Sequence, residues 1–358
     1  MNILREKEAP NNTINLSILI PTYNRAHYLK EALDSVISQL DEIGEEIEII
    51  ISDHGCVDET PQLVEEYKKN FPALITYYRN VEEIDSYLKV DAAIRKAKGE
   101  YVWILCDDDM LEKGAIKKVL WVIKNYKNIS WIFVNYIRYD PDMKRKRSMV
   151  VKIPKDYYCK GEEFFRITRF ANTTYSSNII KKKEWENYSF GKYLNISALH
   201  PQTVVPIYML KDKYAYIVGH PFVRFRNPSE GKPQWLKGED YYLVLEIEML
   251  NSFVINLKRN NYSRSLIKML IRGLGKGILR NIIEFRIKKI TISKKAVVLI
   301  HRLYRINILL YLLSIIVLHI PVQVIIIFYK IYKTKPINTI MKRYKRYFWE
   351  TELSVEEK

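Results

Sequence analysis

The stretch "LSILIPTYNRAHYLKEALDSVISQL", Leu16–Leu40, decides the fold. It opens on an apolar run, Leu16–Ile20, interrupted only by Ser17, that ends at Pro21. A strand covered on both faces of a sheet reads this way. Leu29, Leu33, Val36, Ile37 and Leu40 then fall on one face of a helix, and Asn24 stands where a cap for that helix belongs. Strand, polar turn and amphipathic helix in that order make the first unit of a parallel α/β sheet.

The pattern repeats. "IEIIISD" (Ile47–Asp53) is a second buried strand, and Thr60-Pro61 can start a helix running to Lys69. "LITYYRN" is a third strand, followed by a helix in "IDSYLKVDAAIRKAK" that stops at Gly99. "YVWILC" is a fourth strand, Lys113 to Lys124 a helix, and "SWIFVNYIRYD" a further strand. The expected fold is an α/β, mostly parallel, Rossmann-like sheet with helices on both faces. Such sheets bind ligands beyond the carboxyl ends of their strands. Three polar clusters lie at that edge: "PTYNR", "SDHGCVD" and the triplet Asp107, Asp108 and Asp109.

Each cluster suggests chemistry. Adjacent carboxylates at a strand end suit a hard divalent cation, Mn2+ or Mg2+, completed by phosphate oxygens and water. Bound there, such an ion can neutralise a diphosphate leaving group. Neither a "GxxxxGK[ST]" nor a "GxGxxG" loop is present, so side chains such as Arg25 or Lys89 are needed beside the metal. Asp53 offers an acceptor for a base N–H, and Tyr23 a ring on which that base can stack.

Composition divides the chain in two. Of 358 residues, 48% are hydrophobic and 27 are tyrosine, enough for a substantial core. Residues 251–358 hold 22 Lys and Arg against 5 Asp and Glu, which is the whole net charge of +17. The first 250 residues balance to zero and look enzymatic; the last third wants an anionic surface. Three unpatterned cysteines argue for a reducing compartment, and residues 1–13 form a polar tail without a secretion signal. The bulk of the chain reads as cytosolic.

The basic third carries two features. Arg264, Lys268, Arg272, Lys276 and Arg280 form a stripe opposite Leu266, Leu270, Leu274, Ile278 and Ile282. Glycines at 273, 275 and 277 weaken the helix. A basic amphipathic helix reads either as a membrane-surface element or as a core-packed helix with a solvated face. "INILLYLLSIIVLHIPVQVIIIFY" (Ile306–Tyr329) has 24 residues without Lys, Arg, Asp or Glu. It is long enough to span, but His319, Pro321 and Gln323 near its middle favour a helical hairpin in one leaflet. "KTKPINTIMKRYKRYFWE" adds charge and aromatics suited to a lipid interface.

"LSILIPTYNRAHYLKEALDSVISQ", "IEIIISDHGCVDET" and "AKGEYVWILCDDDML" resemble the nucleotide-sugar half of family 2 glycosyltransferases, inverting enzymes of the GT-A fold. "NTTYSSNIIKKKEWENY" and "HPQTVVPIYM" resemble their abequosyltransferase-like branch, which builds O-antigen and other surface polysaccharides. The resemblance covers roughly residues 14–235 and implies a transferase domain over 14–250, with a nucleotide-sugar half at 14–112, an acceptor half at 113–250 and a basic helical region at 251–358. It implies that the cluster Pro21, Thr22, Tyr23, Asn24 and Arg25, together with Asp53, meets the nucleotide-sugar. Asp107 would then lie near the ribose or diphosphate, and Asp108 with Asp109 would hold the metal. The chain departs from the family pattern at His54, at Cys56-Val57, at Cys106 in place of a first carboxylate, and across "NVEEIDSY".

An inverting transfer needs a base for the acceptor hydroxyl. The window where relatives place a carboxylate holds His200 in "ISALHPQT"; Asp240 in "KGEDYY" is the rival. The implied partners are a nucleotide-diphosphate sugar, a saccharide or lipid-diphosphate-linked saccharide acceptor, and an anionic membrane surface. Two other classes stand beside this reading: an inactive nucleotide-sugar-binding scaffold, and a nucleic-acid binder using the basic third. Against the latter, no zinc-ligand set or RNA-binding signature is present.

Overall fold

In the computed structural model, residues 14–43, 46–81, 86–169, 171–187, 201–227 and 240–333 are described. His200 and the tail from 334 onward lie outside them, as does most of the segment before Asp240. The chain divides into two compact units: Met1–Trp235 with Ser252–Leu270, and Leu236–Asn251 with Ile271–Lys358.

The first unit is built on the expected strands. β1 (Leu16–Thr22), β2 (Ile47–Asp53), β3 (Ile75–Arg79) and β4 (Tyr101–Ile104) pair in parallel, in the order β3-β2-β1-β4. Every residue of β2 and β4 is buried, and all but Pro21 in β1, as strands covered on both faces require; the buried polar Ser17 and Glu48 satisfy each other, Ser17 Oγ donating to Glu48 Oε1 at 2.7 Å. α1 (Ala26–Ile37), α2 (Thr60–Asn70) and α3 (Ser86–Lys96) make the crossovers. Gly99 follows α3 where a Cβ would lie 2.6 Å from the backbone N of Ser17, so only glycine fits.

Beyond α4 (Ala115–Asn125) the alternation stops, and the sheet becomes mixed rather than mostly parallel. β6 (Ile129–Tyr139) and β10 (Tyr214–Arg226) are parallel to each other. The short strands β5 (Met110–Leu111), β7 (Lys146–Met149), β8 (Tyr157–Lys160) and β9 (Asn178–Lys181) run antiparallel to their neighbours. The helices between these strands are short, such as α5 (Gly161–Thr168) and α6 (Lys182–Glu186). Antiparallel neighbours need no long crossover. The order continues β4-β9-β6-β10-β5, with β7 beside β6 and β8 beside β10.

The basic stretch forms an unbroken helix, Arg264–Ile287, despite its three glycines. Its five basic stripe residues are exposed, while Leu266, Leu270, Ile278 and Ile282 are buried in protein. Of the two readings of this helix, the structure takes the core-packed one. In the second unit, Gly275 lets Leu310 approach to 3.0 Å from where its Cβ would stand. The apolar run after Ile306 is two helices, Ile308–His319 and Val322–Lys333, broken at Pro321. Among the described residues no helix is long and apolar enough to cross a membrane.

Candidate active site at the sheet edge

Register aligns the strand ends. Thr22, the last residue of β1, is the partner of Asp53, the last of β2. On the other side, the Leu105 N–H donates to the Leu19 carbonyl at 2.9 Å, so the residues after β4 emerge beside the same edge. The polar clusters after β1, β2 and β4 are therefore neighbours.

The first two clusters lock together. Asn24 adopts a left-handed backbone (φ 53°), which Asn tolerates better than most residues. Its N–H points to Cys56 Sγ at 3.1 Å, and its Oδ1 accepts from Val57 N at 2.8 Å. Asn24 is thus a staple between turns and not the cap of α1. Asp58 takes that role, with Oδ2 accepting from Ala26 N at 3.0 Å. Asp53 is fully buried; its Oδ1 accepts from Gly55 N at 2.8 Å and Cys56 N at 2.6 Å, and its Oδ2 from the Tyr77 hydroxyl. Burial alone would raise its carboxyl, but these bonds outweigh burial and hold it below the usual range. As found, Asp53 shapes the turn after β2.

The carboxylate triplet meets the first cluster directly. Thr22 Oγ1 donates to Asp107 Oδ2 at 2.8 Å. Arg25 Nη1 bridges two carboxylates, 3.2 Å from Asp107 Oδ1 and 3.0 Å from Asp108 Oδ2. The triplet has no basic residue near it in sequence, and the fold supplies one from 82 positions away. Burial, followed by the charge of Asp108, still pushes the Asp107 carboxyl up to about 6 against the pull of Arg25 and Thr22.

Asp109 points inward. Its Oδ2 accepts from Ser176 Oγ at 2.5 Å and its Oδ1 from Arg226 N at 2.9 Å. Burial and then Asp108 raise its carboxyl well above the ordinary value. Arg226 holds the loop from several sides. Its Nε donates to the Asp108 carbonyl at 2.8 Å and its Nη1 to the Pro141 carbonyl at 2.6 Å, while Nη2 pairs with Glu31. The guanidinium also lies over the Tyr28 ring, 4.7 Å from its centre.

The donor set fits a divalent cation. Cys106 Sγ and carboxylate oxygens of Asp108 and Asp109 lie within 4.8 Å of one another. Asp108 is partly open to solvent, and the buried Asp109 is fixed in orientation by Ser176 and Arg226. Two oxygens and a sulfur form a harder-and-softer mixture than an all-carboxylate site.

The remaining predicted residues fall in different places. Pro21 lies in the β1–β2 pairing, opposite Ser52. Tyr23 presents a ring 58% exposed at the edge, free for stacking. Lys89 is buried, and its Nζ donates to the His54 and Asn80 carbonyls at 3.2 and 3.1 Å, tying the turns after β2 and β3. Of the two candidate phosphate cations, only Arg25 stands at the carboxylates. Asp240 belongs to the second unit, where its Oδ2 accepts from Ser293 N at 2.7 Å. His200 lies outside the described residues.

Ser176 and Arg226 are the site residues that sequence reading misses. Ser176 lies in "TTYSS" before β9, where nothing local marks it. Arg226 ends β10, and a charged residue closing a long buried strand was the available signal.

Residues 17–182 match the family described as glycosyl transferase family 2. An abequosyltransferase of Salmonella typhimurium, RfbV, is 24% identical over 261 residues, covering 68% of this chain and 78% of its own length. Three other curated relatives are matched over 41% to 58% of theirs, and others over less. Among solved structures, Staphylococcus aureus TarS 1-349 in complex with UDP aligns at a TM-score of 0.55 and 12% identity, covering 85% of this chain and 89% of that one. The Pyrobaculum calidifontis mannosyltransferase PcManGT, in complex with GDP-Man and Mn2+, aligns at 0.50 and 15% identity, covering 94% and 86%. Residues 17–182 therefore form a glycosyl transferase family 2 domain.

Proposed function

We propose that the chain moves a sugar, with inversion, from a nucleoside-diphosphate donor to a saccharide acceptor carried on a lipid diphosphate at the cytoplasmic membrane face, in surface-polysaccharide synthesis. The observation that carries this reading is the convergence of Thr22 and Arg25 on Asp107 and Asp108 at aligned strand ends. The names of the relatives support it: one is an abequosyltransferase, and two structural neighbours are described with UDP and with GDP-Man and Mn2+.

The residues divide the work. The exposed Tyr23 ring receives the base, and the Asp53-ordered turn shapes that end of the pocket. Arg25 is the cation at hand for the diphosphate. Asp108, with Asp109 and Cys106 beside it, would hold Mn2+ or Mg2+, which supplies Lewis-acid neutralisation of the leaving diphosphate when bound. The acceptor oxygen bonds to the anomeric carbon as the bond from that carbon to the diphosphate breaks. The electron pair leaves with the diphosphate, and the hydroxyl proton passes to His200 or Asp240.

The test is donor turnover across UDP- and GDP-sugars, with and without Mn2+, for wild type and Asp108→Ala. Metal-dependent transfer, reduced at least ~100-fold in the variant, is expected. Transfer indifferent to both metal and mutation overturns the metal role. Donor binding without turnover on any acceptor overturns the transfer reading and leaves a nucleotide-sugar-binding scaffold.

A further inference from the structure

The helix Ile308–His319 has 12 residues, about 18 Å of length against a hydrocarbon layer of about 30 Å. Its packing is one-sided. Leu310 and Ser314 are buried, Leu310 lies against Gly275, and Ser314 Oγ donates to the Leu310 carbonyl at 2.7 Å. The opposite side carries Ile308, Leu309, Leu312, Leu313 and Ile316, each between 39% and 63% exposed. At 100° per residue these five share one face about 140° wide. A contiguous aliphatic face of this kind marks an interaction surface; single exposed leucines do not.

The charge around it selects the partner. Lys294, Arg302 and Arg305 are exposed just before the helix, and Val298, 52% exposed, adds an aliphatic group beside them. From position 285 to 349 the sequence has no Asp or Glu. Arg286, near the end of the helix Arg264–Ile287, donates to the carbonyls of Val317 and Ile320, closing the end of the short helix. The result is an aliphatic strip bordered by cations; the acid beside them, Glu248, is paired with Lys295 Nζ at 3.0 Å, which leaves Lys294, Arg302 and Arg305 for phosphate.

We propose that this face is an in-plane seat on an anionic lipid bilayer. The five aliphatic side chains enter the boundary between headgroups and acyl chains, and Arg302 and Arg305 meet lipid phosphates. The helix break at Pro321 keeps both short helices on one side of the membrane. This deepens the reading of a membrane-linked acceptor, but its geometry belongs to the second unit alone.

The experiment is flotation of the full-length protein with two vesicles: pure phosphatidylcholine, and phosphatidylcholine with about one quarter phosphatidylglycerol. Wild type is expected to float with the anionic vesicles, less with the neutral ones, and less again at high salt. Leu312→Glu with Ile316→Glu, both at exposed positions, should lower the bound fraction about tenfold at an unchanged melting temperature. Arg302→Glu with Arg305→Glu should lower anionic binding to the neutral level. Wild type that floats with neither vesicle overturns the proposal, as does equal flotation of the Leu312→Glu/Ile316→Glu variant. So does light scattering that shows a dimer in wild type and a monomer in that variant, since a second copy then covers the face. Transfer to a short soluble acceptor, run in parallel, should survive in the variants. Vesicle binding without transfer by wild type strikes the catalytic reading and leaves this surface standing.

Discussion

The backbone N–H of Arg226 donates to Asp109 Oδ1 at 2.9 Å, across 117 positions of sequence. The strand end of β10 is thereby tied to the carboxylate loop after β4. The side chain reinforces the tie through the Asp108 and Pro141 carbonyls and Glu31. Arg226→Ala should cost about 2–4 kcal/mol of stability, since it leaves buried acceptors unpaired. It should also weaken metal binding by the loop, read by calorimetry on the folded variant. Arg226→Lys keeps the charge but loses the fork, and should recover only part of each loss.

Arg25 is the counter-charge of two carboxylates, and burial lowers its guanidinium pKa less than they raise it. Arg25 and Asp108 are about one-third exposed, which discounts that pair, but Asp107 is buried, so removing Arg25 should cost folding about 1–2 kcal/mol. The larger effect belongs to the donor. Arg25→Ala should raise the KM for the nucleotide-sugar about tenfold or more, while Arg25→Lys should restore a good part of it. An unchanged KM would remove Arg25 from the diphosphate.

Much of this was legible before the fold was known. The runs Leu16–Ile20 and Ile47–Ile51, apolar but for Ser17 and Glu48, read as strands buried on both faces, so the strands and their shared edge follow from hydrophobic pattern. What stayed hidden depends on partners distant in sequence. Asp58 displaces Asn24 as the cap of α1 because the turn after β2 folds back over α1. Ser176 orients Asp109 from a segment whose antiparallel return no periodicity announces. The stripe from Leu266 to Ile282 has one pattern whether lipid or protein covers it, and only packing decides.

Cys106 gives the triplet a sulfur neighbour, and burial followed by Asp109 and Asp108 keeps the free thiol protonated well above its usual pKa. A thiolate ligand shifts preference from Mg2+ towards Mn2+, Co2+ and Zn2+. Cys106→Ser should weaken Co2+ and Zn2+ binding by about tenfold or more with little change for Mg2+, measured by titration. A sulfur-to-cobalt charge-transfer band should accompany Co2+ in wild type and vanish in the variant. Cys106→Asp should favour Mg2+.

Asp240 already has an occupation: it accepts from the Ser293 N–H, which precedes the helix Lys294–Arg302. Asp240→Asn keeps an acceptor oxygen and should lose about 1 kcal/mol or less, whereas Asp240→Ala should lose about 1–2 kcal/mol. If holding Ser293 is its whole role, Asp240→Asn keeps turnover within a few-fold, and His200→Ala abolishes it while donor binding survives. That is the expected outcome. Loss of turnover in Asp240→Asn at full stability would move the base to Asp240.

His54 supplies a pH dependence that can be isolated. Burial first, then Lys89, lowers its imidazole from 6.5 to about 4, and its buried Nε2 has no partner among the described residues. The unfolded chain therefore binds a proton below pH 6.5 that the folded chain refuses until about 4. Stability from this group is fully present above 6.5 and is lost as pH falls towards 4. The opposing effect of Asp107, whose raised carboxyl favours the folded chain as it protonates, is common to wild type and variant and cancels in their difference. Urea unfolding of wild type and His54→Gln at neutral pH and at about pH 4.5 should show wild type losing about 2–3 kcal/mol more than the variant. Equal losses would mean that the imidazole titrates freely, and that the turn after Asp53 opens to water.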